Sequence, residues 1–251
     1  MSDQPNHILI EQLDAVLTIR FNRVEKKNAL TAAMYDSIRT ALVSADQDDS
    51  IRVVLFCAQP EVFTAGNDLQ DFLAQDTSEE PAAMKLLRQL AVQKKPLVAA
   101  ASGIAVGIGV TLLLHCDLVY LGEDTRMRLP FVNLAVVPEA ASSLLLPNLM
   151  GRQRASELLM LGDFFDSKTA KGLGIANGVV SNNEVFDLAL QKAQALASKP
   201  QEALVLTKQL ITGTHRQDVL DRIDEEGKLF GERLVSEEAR QVMAAFFAGK
   251  S

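Results

Sequence analysis

Short apolar runs alternate with amphipathic helical segments through the first 150 residues, and this alternation most narrows the folds available to the chain. The run IRVVLFCAQ (51–59) and the segment PLVAAASGIAVG (96–107) have the length and composition of strands that a sheet buries on both faces. Between them, PAAMKLLRQLAVQKK (81–95) carries apolar residues at helical spacing. Repetition of this pattern predicts an α/β core.

The flanking segments extend this prediction. HILIEQL (7–13) and DAVLTIRFN (14–22) show strand periodicity, and the helical segment 31–47 follows with Thr31 as its predicted N-cap. Beyond Gly151 the periodicity is mainly helical. The sequence contains neither an internal repeat nor a long linker, so we predict a core over 1–195 and a helical C-terminal region over 196–251.

Composition and termini limit the classes of function. A formal net charge of −7 argues against a general binder of nucleic acids or anionic membranes, because both need a cationic face. The N-terminus lacks a basic start followed by an apolar block, and the final FFAGKS is not a peroxisomal address. With no apolar run of membrane-spanning length, we expect a cytoplasmic protein.

The metal and thiol candidates are few. The three histidines show no ligand spacing, so no metal site is expected. The two cysteines, Cys57 and Cys116, lack C-x-x-C partners and are predicted to be reduced core thiols. His115 is expected to be packed or capping, and Asp117 to cap or pair in a buried region.

Two glycine-containing loops could hold a developing negative charge. EVFTAGNDL (61–69) turns at Gly66, and in the second loop a strand gives way to a helix at Gly107. Each loop alone is typical of an ordinary tight turn. Brought together, a free amide from each would form a two-donor pocket for an oxyanion. Asp68 is predicted to be an acceptor that fixes the first loop.

A single carboxylate stands in the otherwise uncharged stretch FVNLAVVPEAASSLLLP (131–147). One interpretation is structural: Pro138 and Glu139 would begin a helix, with the carboxylate facing the positive end of its dipole. The other is catalytic, with Glu139 as a base in an apolar setting. Position alone favours the structural interpretation.

Four motifs in order resemble the crotonase superfamily, which comprises the enoyl-CoA hydratases and isomerases: FNRVEKKNAL (21–30), FTAGNDL (63–69), GIAVGIGVTLLLHCDLVY (103–120) and AKGLGIANGVV (170–180). The resemblance runs from about Ile8 to Lys250. It implies an α/β superhelix of repeated β-β-α units with a helical C-terminal region that covers the active site and helps to form trimers or dimers of trimers.

The same resemblance implies an acyl-CoA substrate, with coenzyme A as part of the substrate and no separate cofactor. The thioester oxygen would sit between the backbone amides of Asn67 and Ile108. The implied coenzyme A site comprises Lys26, Asn28, Ala29, Leu30, Ala65, Gly66, Asn67, Asp68, Leu69, Gly107 and Ile108. Phe246, Phe247 and Lys250 could also reach the coenzyme, although a packed aromatic pair and a solvated lysine fit the sequence equally well.

The catalytic acids separate the branches of the superfamily. At the positions of the two hydratase glutamates this chain has Thr111 and Phe131, neither of which can act as a carboxylate base. Glu139 matches the single catalytic glutamate of the peroxisomal-type delta-3, delta-2-enoyl-CoA isomerases. The resemblance therefore implies an isomerase of fatty acid metabolism. A hydratase or another crotonase-type enolate reaction is the first alternative, and a non-catalytic relative that binds coenzyme A or RNA is the second.

Overall fold

The computed structural model describes residues 6–74 and 80–249, and the side chains of residues 72–74, Phe246 and Phe247 lie outside that description. The strands within these residues are β1 (Ile8–Leu13), β2 (Val16–Phe21), β3 (Val53–Cys57), β4 (Val62–Thr64), β5 (Leu97–Ala101), β6 (Ile104–Val106), β7 (Leu118–Gly122), β8 (Arg126–Arg128), β9 (Phe165–Asp166) and β10 (Gly178–Val180). The helices are α1 (Ala32–Gln47), α2 (Leu69–Ala74), α3 (Ala82–Val92), α4 (Ile108–Thr111), α5 (Ser142–Met150), α6 (Arg152–Ser156), α7 (Ser167–Gly172), α8 (Val185–Ala197), α9 (Gln201–Gly213), α10 (Arg216–Leu234) and α11 (Glu237–Phe247). Short 3₁₀ turns cover Val24–Lys26, Leu112–His115 and Val132–Leu134, and a π turn covers Glu157–Leu161.

The strands form two sheets that share successive β-β units. The larger sheet has the order β1-β2-β3-β5-β7-β10, and the smaller has the order β4-β6-β8-β9. Each of the pairs β3–β4, β5–β6 and β7–β8 contributes its first strand to the larger sheet and its second to the smaller one, and helices follow each pair. This arrangement is the predicted superhelix of repeated β-β-α units.

The central strands of the larger sheet, β2, β3, β5 and β7, are buried on both faces. Strands β2 and β3 direct alternate residues to opposite sides, so that Ile19 and Phe56 face the core under α1 and α3, whereas Val53 and Leu55 face α8. Both predicted strands are present as β1 and β2, and the structure pairs them as an antiparallel hairpin in which Leu13 pairs with Val16. The predicted cap of α1 is also confirmed, since the Thr31 side chain accepts a hydrogen bond of 3.4 Å from the Met34 amide.

Helix α8 packs against β3, β5 and β7, so the predicted division after residue 195 falls inside a helix of the core. The chain leaves this sheet between α8 and α9, at about Pro200. Helix α10 then returns to contact α3 and α5. As a consequence, the C-terminal region contributes side chains beneath the segment that begins α5.

Several smaller predictions concern individual polar groups and thiols. Asp117 pairs as predicted, because its Oδ2 accepts from the Leu97 amide and from Lys208 Nζ, each at 2.7 Å, but the residue is exposed, so the prediction of a buried setting was wrong. Both cysteines are free, but only Cys57 is buried; Cys116 is half-buried, so the prediction of two core thiols was wrong for it. No helix among the described residues is long and apolar enough to cross a membrane.

Candidate active site

The two glycine loops lie in contact with one another. Strands β4 and β6, which lead into them, are parallel neighbours in the smaller sheet. Gly66 has a φ of +97°, and a Cβ at this position would lie 3.0 Å from the Val106 carbonyl oxygen. A Cβ at Gly109 would lie 2.7 Å from Thr64 Cγ2. Both glycines are therefore required by the close approach of the loops, and a side chain at either would separate them.

The amide of Asn67 faces away from the backbone pairing around it. The Leu30 amide donates to the Gly66 carbonyl at 2.8 Å, and the Asp68 amide donates to the Leu30 carbonyl at 2.9 Å. In this parallel bridge the residues on either side of Asn67 make the bonds, which leaves its own N–H directed to the opposite side. The sequence prediction of an available Asn67 amide agrees with this geometry.

The amide of Ile108 is available for a different reason. Ile108 is the first residue of α4, so its N–H has no acceptor within the helix. The Gly107 carbonyl accepts from the amides of Val110 and Thr111 at 2.9 and 3.0 Å, and the Gly107 amide donates to Arg128. With a φ of +55°, Gly107 makes the turn that begins the helix beside the first loop.

A third loop, residues 23–30, braces the first one. Arg23 Nη1 donates to Asp68 Oδ2 at 2.7 Å and to the Ala29 carbonyl at 2.9 Å, so Asp68 is the loop-fixing acceptor that the sequence predicted. The Asn28 side chain is buried and donates to the carbonyls of Val62 and Phe63 at 3.0 and 3.1 Å. Because protein groups occupy this amide, Asn28 can serve a ligand only by holding the loop.

The remaining residues of the predicted coenzyme site differ in accessibility. The Leu30 side chain belongs to the core and its backbone N–H and C=O pair with the first loop, so Leu30 holds that loop and offers no free group to a ligand. Lys26 is exposed, and Ala29, Ala65 and Leu69 are half-buried. Phe246 and Phe247 have no described side chains, and Lys250 lies outside the described residues.

Glu139 does not begin a helix. Helix α5 starts three residues later, at Ser142, and Ala140 and Ala141 between them have φ values of +61° and +56°. The structural interpretation of Pro138 and Glu139 as a helix start is therefore wrong. The carboxylate is instead enclosed, with 7% of the residue exposed, and Glu139 Oε1 has no hydrogen-bond partner among the described residues.

The first loop and Glu139 meet through a side chain. The Asn67 side-chain amide hydrogen-bonds the Glu139 carboxyl group, and the Tyr35 hydroxyl donates to Asn67 Oδ1. Burial and, to a smaller extent, the nearby Glu226 raise the pKa of Glu139 to about 7, against the opposing effect of the hydrogen bond from Asn67. The residue whose backbone N–H is a predicted oxyanion donor thus also contacts the predicted base.

The two usual acid positions carry no acid here. Thr111 and Phe131 are both buried, and the Thr111 hydroxyl has no partner among the described residues. A second carboxylate, that of Glu226 on α10, lies against the start of α5 and accepts hydrogen bonds from the Ala141 and Ser143 amides at 2.6 and 2.9 Å. The described residues contain no cluster of metal-ligating side chains.

Sequence reasoning missed Glu226 and Tyr35. The pattern of α10 did contain a signal for Glu226, since it lies three residues after the buried Ile223 and four before Phe230, on the apolar stripe of a charged helix. His115 is half-buried and packed as predicted, and its Nε2 lies 2.9 Å from the Ala140 carbonyl oxygen. Burial lowers the pKa of His115 to about 4, so the ring is neutral and donates this bond.

Comparison with known proteins identifies the family of the chain. A family profile described as Enoyl-CoA hydratase/isomerase matches residues 11–250. Over 250 residues the chain is 32% identical to enoyl-CoA delta isomerase 2 of Rattus norvegicus, and the alignment covers 97% of this chain and 64% of that protein. It is 31% identical over 246 residues to 1,2-epoxyphenylacetyl-CoA isomerase of Escherichia coli (strain K12), covering 94% and 93% of the two chains.

A solved structure gives the same result for the fold. The crystal structure of an enoyl-CoA hydratase/isomerase from Pseudoalteromonas atlantica T6c matches with a TM-score of 0.94 at 35% identity, and 98% of each chain is covered. The chain spans less than two thirds of the rat protein's length, but nearly all of this bacterial structure. From the family profile, the chain belongs to the enoyl-CoA hydratase/isomerase family.

Proposed function

We propose that this chain is an acyl-CoA isomerase that moves a double bond from the 3 to the 2 position of an enoyl-CoA, with Glu139 as its single acid and base. The observation that carries the proposal is the environment of that carboxylate. It is buried, one of its oxygens is unpaired, and its pKa is raised to about 7, near the value that suits a general base at neutral pH.

The reaction needs one base that acts twice. Glu139 removes a proton from C2 of the 3-enoyl thioester, and the electrons of that bond form a dienolate. The negative charge on the thioester oxygen is held by the N–H groups of Asn67 and Ile108, each of which supplies on the order of 3 kcal/mol of transition-state stabilisation. The protonated Glu139 then delivers its proton to C4, which leaves the conjugated 2-enoyl thioester and the free carboxylate.

Hydration would need a second acid or base to activate a water molecule, and the second carboxylate nearby, that of Glu226, is not free to do so. Both oxygens of Glu226 accept backbone amides. The unpaired Thr111 hydroxyl could hold a water molecule but cannot ionise it. A hydratase therefore remains the alternative, with isomerisation favoured by the single available carboxylate.

The relatives support enoyl-CoA isomerase or hydratase chemistry in general and do not single out one reaction. One relative is named a delta isomerase and another an epoxyphenylacetyl-CoA isomerase, at 32% and 31% identity. The preference for the delta-3, delta-2 reaction therefore rests on Glu139 and its surroundings. A purely RNA-binding role is disfavoured by the net charge of −7.

The proposal is tested with two substrates and one variant. Wild-type protein is expected to convert trans-3-hexenoyl-CoA to its 2-enoyl isomer and to leave crotonyl-CoA unhydrated. Glu139→Gln should lower kcat for isomerisation by about 10³-fold, because a general acid and base are lost together. Efficient hydration of crotonyl-CoA, with Glu139→Gln still active, would overturn the proposal.

We also propose that the chain assembles as a homotrimer or a dimer of trimers. Support comes from exposed apolar side chains on α9, where Leu206, Leu210 and Ile211 are 50%, 80% and 74% exposed. Contiguous apolar surface of this kind is typical of subunit interfaces. Light scattering coupled to size-exclusion chromatography should give three or six times the chain mass of 27.3 kDa, and a monomer would contradict the proposal.

A further inference from the structure

The carboxylate of Glu226 is bound at the turn that precedes α5. Glu226 is 4% exposed, Oε2 accepts the Ala141 amide at 2.6 Å, and Oε1 accepts the Ser143 amide at 2.9 Å. The two amide donors favour the ionised form of this carboxyl group, in opposition to burial, which raises its pKa. The negative charge also lies at the N-terminus of α5, where it interacts favourably with the positive end of the helix dipole.

The turn it holds is one that the chain does not adopt easily. Ala140 and Ala141 both have positive φ, a conformation that alanine rarely adopts because its Cβ then approaches the backbone. Ala141, the N-cap of α5, has no side chain that could accept from the first helical amides. Glu226 supplies from α10 the acceptor that the local sequence lacks.

His115 holds the same turn from another side. Its neutral ring donates to the Ala140 carbonyl, so Ala140, Ala141 and Ser143 are held by His115 and Glu226 together. His115 is half-buried and Glu226 is buried, and they come from different parts of the chain. The direction in which Glu139 leaves the backbone is thereby determined by tertiary contacts.

We propose that Glu226 is a positioning residue for the isomerisation proposed above, and the inference rests on that function: its carboxylate holds the turn at Ala140 to Ser143 so that Glu139 faces the acyl chain. Glu226 does not touch the substrate. Its charge has a second consequence, because it lies near Glu139 and raises the pKa of that group.

The other polar and charged groups around Glu139 and Glu226 are few. Tyr35 on α1 and Asn67 on the first loop face Glu139, and His115 reaches the adjacent carbonyl. Burial raises the pKa of Glu226, and the charge of Arg222 on α10, whose Nη1 lies 3.5 Å from the Ser143 hydroxyl, opposes that shift. Since these groups remain in place, removal of Glu226 isolates its own effect.

The test compares Glu226→Gln with Glu226→Asp and with Glu225→Gln. Glutamine keeps one acceptor but turns an N–H₂ group toward the second amide, and it removes the charge. Aspartate keeps the charge but is one methylene too short to reach both amides in the same way. Glu225, the neighbour on α10, has a side chain that is 60% exposed and serves as the matched control.

Three measurements separate positioning from simple stability. Hydrogen exchange of the peptide containing residues 139–150 reports the two clamped amides, and a ¹³C carboxyl titration, assigned with Glu139→Gln, reports the ionisation of Glu139. The third measurement is kcat and KM on trans-3-hexenoyl-CoA. The first two need no substrate, so they still test the clamp if wild-type protein fails to isomerise and the proposed function itself is wrong.

For Glu226→Gln we expect faster exchange in 139–150, a Glu139 titration midpoint below that of wild type, and a kcat lower by about 10- to 100-fold with little change in KM. Glu226→Asp should keep the midpoint closer to wild type while losing part of kcat. If Glu226→Gln does not fold, the same readouts of Glu226→Asp decide. Exchange, midpoint and kcat equal to those of Glu225→Gln would overturn the inference.

Discussion

Replacing Glu139 with glutamine should stabilise the folded protein in a pH-dependent way. Burial raises the pKa of Glu139 from its ordinary 4.5 to about 7, so the folded chain retains a proton that the unfolded chain releases between these pH values. The folded state binds more protons in this window, and stability therefore falls as the pH rises through it. The penalty is absent below about 4.5 and complete above about 7.

The size of the effect follows from the same two values. Between pH 5 and pH 8 the wild-type protein should lose about 2.5 kcal/mol through Glu139 alone. Glutamine does not titrate, so the free energy of unfolding of Glu139→Gln relative to wild type should increase by this amount over the same interval. Groups that do not interact with Glu139 titrate equally in both proteins and cancel in the difference, so the remainder comes from Glu139 and its coupling to Glu226.

Urea unfolding at pH 5 and pH 8, at one protein concentration, provides the measurement. Glu225→Gln, an exposed substitution, should differ from wild type by less than about 0.5 kcal/mol at both pH values. A difference between Glu139→Gln and wild type that is the same at pH 5 and pH 8 would refute the reasoning, because it would mean that Glu139 ionises alike in the folded and unfolded chains.

Three further predictions concern the loops and the base. Gly66→Ala should lose about 1–2 kcal/mol of stability and lower kcat, since its φ is +97° and its Cβ would press on Val106, whereas Gly172→Ala, with open space around it, should change neither in a parallel assay. Asn28→Ala should lose about 3 kcal/mol in urea unfolding because it leaves buried backbone groups unpaired, and a loss below 1 kcal/mol would contradict that role. In the wild type, kcat/KM for trans-3-hexenoyl-CoA should rise with pH to a plateau, with its midpoint at about 7, because the base must be ionised in the free enzyme; a profile flat from pH 5 to pH 9 would exclude Glu139 as that base.

Patterns of local sequence predicted much of the fold. The two strands around Asp14, the cap at Thr31 and the doubly buried strand at 53–57 each follow from periodicity or from a single capping side chain. The division of strands between two sheets does not follow in this way. It depends on which strand pairs with which across the chain, and here the resemblance to the crotonase superfamily supplied the answer.

The candidate site was predictable where backbone conformation governs it. Gly66 and Gly107 mark turns that a sequence can reveal, and the isolation of Glu139 among apolar residues was visible. The sequence did not reveal that the start of α5 is delayed to Ser142, because the positive φ values of two alanines are imposed by contacts from His115 and α10. Local preference favoured a helix start at Pro138, and tertiary hydrogen bonds overrode it.

Glu226 illustrates the same limit more sharply. A carboxylate on the apolar stripe of a charged helix is a visible anomaly, but its partners are the amides of Ala141 and Ser143, more than 80 positions earlier. Its role depends on how α10 packs against α5, which no local pattern encodes.

The most direct test of the central claim, that Glu139 alone carries the proton from C2 to C4, is the fate of that hydrogen. A 3-enoyl-CoA carrying two deuterium atoms at C2 should give, in a single turnover in H₂O, a 2-enoyl product with deuterium at C4, because a buried carboxyl group exchanges slowly with solvent. Mass spectrometry and ¹H NMR locate the label. The account would be contradicted by a product that carries no deuterium at C4, so that all the incorporated hydrogen comes from solvent, together with an unchanged rate in Glu139→Gln.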